Sequence, residues 1–268
     1  MIILSIDIGI KNFAVCVLNY ENDNYSIVEW DVLDLSGIPN YICSNCDCKN
    51  KAKYFKNENY YCLKHAKKST FQLPDKSMKP NYIKKRKLTD LLDYTKSLEI
   101  SIPDKVKKEE LVNIINNYIE ENYLQSIESK SCEYMDLISI GRNMMKQFDE
   151  KFEKYNIDKV IIENQIGPLA IRMKTLQGMA SQYFIMRSNC EIYFISSKNK
   201  LKDFVNEKDI TYRERKKYGI EICQNLLKNN FKLEYFNKHK KKDDLADSFL
   251  QGLWYIKQYN KDCKLKNI

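Results

Sequence analysis

The chain has 268 residues, 43% hydrophobic and 12% aromatic, with 45 Lys and Arg against 36 Asp and Glu for a net charge of +9. That apolar content can build a packed core, which excludes a disordered chain, and apolar runs of about ten residues fall short of a membrane span. Nine cysteines is an odd number, and no basic leader with an apolar stretch and cleavage site opens the chain, so an intracellular, reducing compartment without a disulfide framework is expected.

Ile2 to Ile8 reads as a buried strand, Gly9 to Asn12 as a turn, and Phe13 to Leu18 as a second strand. After "ENDN" a third strand runs from Tyr25 to Leu33, giving an antiparallel meander. Residues 37–125 differ in character, being rich in Lys, Cys and Tyr. They begin with "CSNCDC" and end with two short helical patterns, "KLTDLLDYTKSLE" and "KKEELVNIINNYIEENY". From about Tyr134 helix and strand alternate: helix "MDLISIGRNMMKQFDEKFEKY", strand "KVIIENQ", helix "IRMKTLQGMASQYFIMRS", strand "EIYFISS", then helices "TYRERKKYGIEICQNLLKN" and "DDLADSFLQGLWYIKQY". The alternation predicts an α/β fold, a mixed sheet flanked by helices. Neither flank alone can bury a sheet, so 1–36 and 126–268 are expected to form one core, with 37–125 inserted.

Three places carry acids that the local pattern does not ask for. Asp7 stands in an apolar strand, where an ionised carboxylate has lost water and gained no partner from its neighbours. Glu163 closes the apolar strand "VIIE". Asp244 and Asp247 are spaced i, i+3 on one helical face, with Leu245, Phe249, Leu253 and Ile256 on the other. Helix capping is the plain account of Asp243 and Asp244, and turn initiation that of Glu163. Neither applies to Asp7. Like charges this close repel unless a cation sits between them, and hard divalent ions such as Mg2+ prefer such oxygen ligands.

In this order, "SIDIGIKNFA", "VIIENQIGP", "RMKTLQGMASQYF", "SSKNKLK", "YRERKKYGIEI" and "KKDDLADSFLQG" resemble the RuvC-type Holliday junction resolvases, above all their poxvirus and mitochondrial branch in the RNase H-like superfamily. The resemblance implies an RNase H-like sheet with Asp7, Glu163, Asp244 and Asp247 as the catalytic acids. They would hold two Mg2+ or Mn2+ ions for phosphodiester hydrolysis, leaving a 5′-phosphate and a 3′-hydroxyl. It also implies paired symmetric nicks in branched, four-way DNA by a homodimer, with no membrane partner. Lys198 and Lys200, just past "EIYFISS", would stand near the strand ends, where an ammonium can bind phosphate or steady developing charge. Arg172, Lys174, Arg213, Arg215, Lys216 and Lys217 are candidate backbone contacts by the same logic, with solvated surface as the plain alternative. Location follows the branch: host cytoplasm or virion for a viral chain, otherwise mitochondrion or nucleus.

Within the insertion, "CSNC" and "CLKH" supply Cys43, Cys46, Cys62 and His65, two chelating pairs at the spacing of a closed structural Zn2+ site in 41–68, with Cys48 as a substitute ligand. The stretch 82–124, with its helices from Leu88 to Tyr123, is similar in length and pattern to a SAP-type DNA-binding hairpin; an amphipathic hairpin packed on the core is the alternative. The apolar stripe at Ile138, Met145, Phe148 and Phe152 reads as core or as a dimer interface. Competing functions are a nuclease of RNA/DNA hybrids or transposons on the same fold, and a non-catalytic zinc-containing DNA-binding protein. A sugar-kinase or actin-like ATPase would need a second glycine-rich phosphate loop, which the 7 glycines do not make.

Overall fold

The computed structural model describes residues 1–127, 135–167, 170–202, 204 and 211–266. Tyr134 and Pro168 of the stretches quoted above lie outside them. Along the chain the elements are β1 (Ile2–Asp7), β2 (Phe13–Glu21), β3 (Asn24–Leu33), β4 (Tyr54–Lys56), β5 (Asn59–Tyr61), α1 (Leu63–Ala66), α2 (Pro80–Lys85), α3 (Leu88–Ser97), α4 (Lys108–Asn122) and β6 (Gln125–Ser126). Then come α5 (Leu137–Phe152), β7 (Lys159–Glu163), α6 (Ile171–Arg187), β8 (Glu191–Ile195), α7 (Tyr212–Leu226), α8 (Lys232–Lys238) and α9 (Lys242–Lys266). They pack as two compact units, Met1–Gly37 with Ser131–Ile268, and Ile38–Lys130.

The first unit is built on a five-stranded sheet in the order β3-β2-β1-β7-β8. The first three strands are an antiparallel meander, whereas β7 lies parallel to β1 and β8 parallel to β7. Side chains alternate between faces along a strand, so one strand feeds two cores. Leu4, Ile6, Val160 and Ile162 join a cluster with Phe148 and Phe152 of α5 and Phe184 of α6. Ile3 and Ile161 point the other way, into a cluster with Leu245, Phe249, Leu253 and Ile256 of α9.

The register pairs Ser5 with Ile161 and Ile6 with Ile162. One step further sets Asp7 beside Glu163, both on the α9 face. Two close approaches fix this corner. A Cβ on Gly9 would stand 2.4 Å from the Asn12 carbonyl oxygen, so the β1–β2 turn accepts only glycine there. A Cβ on Gly252 would meet Leu18 Cδ1 at 2.7 Å, so α9 lies directly on the sheet. Trp30 of β3 completes the dock: its indole N–H donates to the Leu245 carbonyl at 3.0 Å, and its ring stacks on Phe236 of α8 at 5.3 Å. The short helix α8 was not expected from the sequence, since seven residues are too few for a helical period to stand out. Asp136 caps α5 by accepting from the Ile138 and Ser139 N–H groups, and Thr211 with Glu214 forms a capping box on α7.

In the second unit β4 and β5 form a hairpin whose turn residues, Asn57 and Glu58, both have positive φ, as a two-residue hairpin turn requires. β6 pairs with the far side of β4. Ile83, Leu91, Leu111 and Ile115 form the small core beneath α2, α3 and α4. Lys56 is buried and donates to the carbonyls of Glu121 at 3.2 Å and Tyr123 at 3.3 Å, closing the open end of α4.

Candidate active site

β1 and β7 run parallel, so their last residues, Asp7 and Glu163, come out at the same edge of the sheet. The first turns of α9 bring Asp244 and Asp247 to that edge. At the centre is the ammonium of Lys200, from a 3-10 turn over Ser197–Leu201 that follows β8. Its Nζ lies 2.8 Å from Glu163 Oε2, 3.0 Å from Asp247 Oδ2 and 3.2 Å from Asp7 Oδ1. Only 5% of Lys200 and 9% of Asp7 is exposed, so these charges interact across protein rather than water. The structure thus brings together Asp7, Glu163, Asp247 and Lys200, with Asp244 one turn before Asp247.

Two ammonium groups, Lys200 among three of the acids and the more distant Lys241 beside Asp244, do not balance four carboxylates. Burial pushes the Asp7 carboxyl up to about 7, against the lowering pull of Lys200 and with a further push from Glu163. Glu163 moves the other way: burial opposes its charge, but the hydrogen bond from Asp7 and the Lys200 ammonium outweigh that. Burial, then the Asp243 charge, raises Asp244 to about 6, and burial also raises Asp247. Lys200 is held well above the ordinary lysine range, because its three acid partners overcome its desolvation. Asp244 Oδ2 is buried and, among the described residues, accepts no hydrogen bond; Lys241 Nζ stands 3.7 Å from it. The donor set, carboxylate oxygens alone, is the kind that hard divalent cations prefer, and the Lys200 ammonium occupies the centre of Asp7, Glu163 and Asp247.

A second feature of the site is not visible as an acid. Gln251 of α9, fully buried, points its Nε2 at Ser5 Oγ (3.2 Å), the Ile6 carbonyl (3.1 Å) and the Ile161 carbonyl (3.3 Å). It ties together the three elements that carry the acids, one turn beyond Asp247. A glutamine between Leu250 and Leu253 on the apolar face of α9 was the available signal. Gln177 of α6 does similar work after β7: its Oε1 accepts from the Gln165 N–H at 2.9 Å.

The proposed DNA contacts fall into distinct settings. Lys198 and Lys174 are exposed, as are Arg213 and Lys217 of α7. Lys217 pairs with Glu221 at 3.7 Å. Arg172 donates to the Met135 carbonyl at 2.6 Å. Lys216 pairs with Asp243 Oδ2 at 2.7 Å, which fastens α7 to the first turn of α9, and Arg215 is half-buried, its Nε unbonded among the described residues. Lys216 and Arg172 therefore hold structure first. Of the apolar stripe on α5, Phe148 and Phe152 belong to the core, whereas Ile138 and Met145 are exposed.

In the second unit Cys43, Cys48, Cys62 and His65 converge, their ligand atoms all within 4.8 Å of one another. Cys43 Sγ lies 3.2 Å from His65 Nδ1, Cys62 Sγ 3.6 Å from the same atom, and Cys48 Sγ 3.9 Å from Cys62 Sγ. Tetrahedral zinc with Zn–S bonds of about 2.3 Å sets neighbouring sulfurs about 3.8 Å apart, so the group fits that ion. Here the expected ligand set needs a correction. Cys46 is exposed and stands outside the group, and the substitute Cys48 takes its place. The reason is a turn closed by the Cys48 N–H to the Asn45 carbonyl, with Asp47 at φ +61°; it leaves Cys46 at the corner and turns Cys48 inward.

A five-stranded mixed sheet in this order, with helices on both faces and acids at a shared edge, is the α/β architecture expected from the sequence. The family described as "Poxvirus A22 protein" matches residues 118–259, and that described as "Mitochondrial resolvase Ydc2 / RNA splicing MRS1" matches residues 3–165. The chain belongs to this poxvirus and mitochondrial resolvase family. A Holliday junction resolvase of Fowlpox virus (strain NVSL) is 31% identical over 129 residues, 46% of this chain and 74% of the relative. An uncharacterized protein of Acanthamoeba polyphaga mimivirus is 25% identical over 314 residues, 96% of this chain and 74% of the relative. The crystal structure of the fowlpox resolvase with Holliday junction DNA aligns with a TM-score of 0.47 at 17% identity, covering 97% of this chain and 99% of that one. Among the described residues no helix is long and apolar enough to cross a membrane.

Proposed function

We propose that the protein is a divalent-metal-dependent endonuclease that resolves four-way DNA junctions by paired nicks, acting as a homodimer. The observation that carries this reading is the gathering of Asp7, Glu163 and Asp247 around Lys200 Nζ, within 3.2 Å of each, in a chain of the resolvase family. Asp7, Glu163, Asp244 and Asp247 would hold Mg2+ or Mn2+. Held by these four acids, such ions would supply Lewis-acid polarisation of a water and charge stabilisation of a leaving oxygen. The acids keep water-replacing oxygens fixed at the sheet edge, and Lys200 offsets their repulsion so that they stay in register until the cations arrive. Its ammonium also provides a fixed positive charge for a scissile phosphate. A junction has two-fold symmetry, and paired nicks ask for two sites related the same way, hence the isologous dimer. Cys43, Cys48, Cys62 and His65 would hold a structural Zn2+ whose four positions are all taken by protein, so it folds the second unit and does no chemistry.

The family description also names RNA splicing, which makes a non-cleaving RNA partner the second reading. Three acids around a buried lysine, with Asp244 one turn away, argue for the nuclease, since RNA binding gives no reason to bear their repulsion. Incubation with a synthetic four-way junction, duplex, flap, RNA/DNA hybrid and structured RNA, with and without Mg2+, separates the two. Paired nicks near the crossover only with the metal are expected. RNA binding with every DNA left intact would overturn the proposal.

A further inference from the structure

Positive charge is unevenly placed along this chain. Residues 38–87 hold 13 Lys and Arg against 3 Asp and Glu, while the remaining 218 residues carry 32 against 33. The division is as sharp within the second unit. Residues 88–127, which contain α3 and α4, have 4 basic against 8 acidic side chains. The helical pair that resembles a SAP module is thus the acidic part of its own unit, a poor start for binding a polyanion.

Structure accounts for only some of the 13. Lys56 closes α4 from a buried position, and Arg86 stacks on the Tyr94 ring at 4.2 Å. Lys49, Lys51, Lys53, Lys64, Lys67 and Lys68, around the Cys/His group, are all exposed, and among the described residues none of these six enters an ion pair. Their backbone is nonetheless held. Ala52 is buried and its N–H donates to the Tyr41 carbonyl, while Lys51 and Lys53 on either side of it are exposed. Cys62 and His65 fix α1, which carries Lys64 and runs out into Lys67 and Lys68. Six like charges on so small a module repel one another and return nothing to its fold.

We propose that this Cys/His module, residues 41–68, is a docking surface for the phosphate backbone of duplex DNA, separate from the acid cluster that cleaves. The identity of the ligand rests on the junction-resolvase reading; the existence of the surface does not. Duplex DNA carries one charge per about 1.7 Å of axis, and lysines that neutralise phosphates release counterions with no regard to sequence. That suits a substrate defined by branching. An anchor joined to the nuclease unit also raises the local concentration of DNA at the acids.

The test replaces the six lysines by glutamine in the full-length, zinc-loaded chain, with zinc content and circular dichroism confirming the fold. Binding to a short duplex is measured over a salt series without added magnesium. Each neutralised phosphate contributes about 0.9 to the slope of log affinity against log salt, so loss of three or more contacts flattens it by about 2.7 or more and weakens binding at least tenfold. A second variant, with Lys105, Lys107 and Lys108 of the hairpin changed to glutamine, is expected to lose less than threefold. An unchanged slope in the six-lysine variant, or a larger loss in the hairpin variant, would overturn the proposal, as would a loss confined to single strands. Should the six-lysine variant fail to fold, acetylation of the wild-type lysines decides: bound duplex must protect the six. If wild type binds duplex in this manner but cleaves no branched DNA, the function is wrong and the docking surface stands.

Discussion

Replacing Asp7 by asparagine is expected to stabilise the metal-free protein while removing its chemistry. The folded carboxyl binds its proton far more tightly than its ordinary value of 3.8, at about 7, because it is buried among acids. A raised acid pKa favours folding at low pH, and that contribution is lost as pH climbs from about 4 to about 7. A shift of about three units at ~1.4 kcal/mol each sets a ceiling of ~4 kcal/mol. Glu163 moves in the opposite direction and titrates with Asp7 as a pair, and the asparagine gives up the Lys200 contact, so a net gain of about 1–3 kcal/mol remains at about pH 8. Urea unfolding followed by tryptophan fluorescence suits the measurement, since Trp30 and Trp254 both pack in the α9-side core of the first unit. The variant should exceed wild type at about pH 8, and the gap should close toward about pH 5. Millimolar Mg2+ should raise wild type more than the variant. Equal or lower stability of the variant at the higher pH, or a gap that ignores pH, would refute the charge accounting.

Lys200→Met removes the ammonium shared by Asp7, Glu163 and Asp247, at 5% exposure. Without metal it should cost about 3–5 kcal/mol, partly recovered by Mg2+, and cleavage should fall at least 100-fold, roughly the scale of a lost electrostatic stabiliser. Gln251→Leu leaves the Ser5 hydroxyl and two strand carbonyls without their shared donor. A loss of about 1–3 kcal/mol is expected in urea unfolding, with a drop in single-turnover rate that Gln251→Asn does not repair, because the shorter amide cannot span the gap. Metal analysis should find that Cys48→Ser loses the zinc and Cys46→Ser keeps it; the reverse would restore Cys46 as the ligand.

Much of the nuclease unit was legible because its elements are long and periodic. The meander, α5, β7, α6, β8, α7 and α9 all announce themselves by spacing, and period-two alternation in "IILSID" and "KVIIE" already sends Asp7 and Glu163 to one face once the strands are paired. The register that sets them side by side is a tertiary fact. Lys200 was less legible. "SSKNKLK" reads as a solvated loop, and nothing local separates the exposed Lys198 from the buried Lys200; only the 3-10 turn after β8 does. Lys216 looked like a free basic residue of α7 because its partner Asp243 lies 27 positions away. The CxxC spacing favours Cys46, whereas the turn at Asp47, a residue type that tolerates positive φ, leaves Cys48 in the group; the spacing does not show where that turn falls. Gln251 reads by type as an ordinary polar residue of a helix, and only its apolar neighbours mark it as buried.

Single-turnover cleavage of an end-labelled four-way junction by four separate variants, Asp7→Asn, Glu163→Gln, Asp244→Asn and Asp247→Asn, tests the shared acid site most directly. Each should abolish both nicks in Mg2+ while still shifting the junction in a native gel. Two or more of the four cutting at the wild-type rate would mean that these carboxylates do not work as one centre.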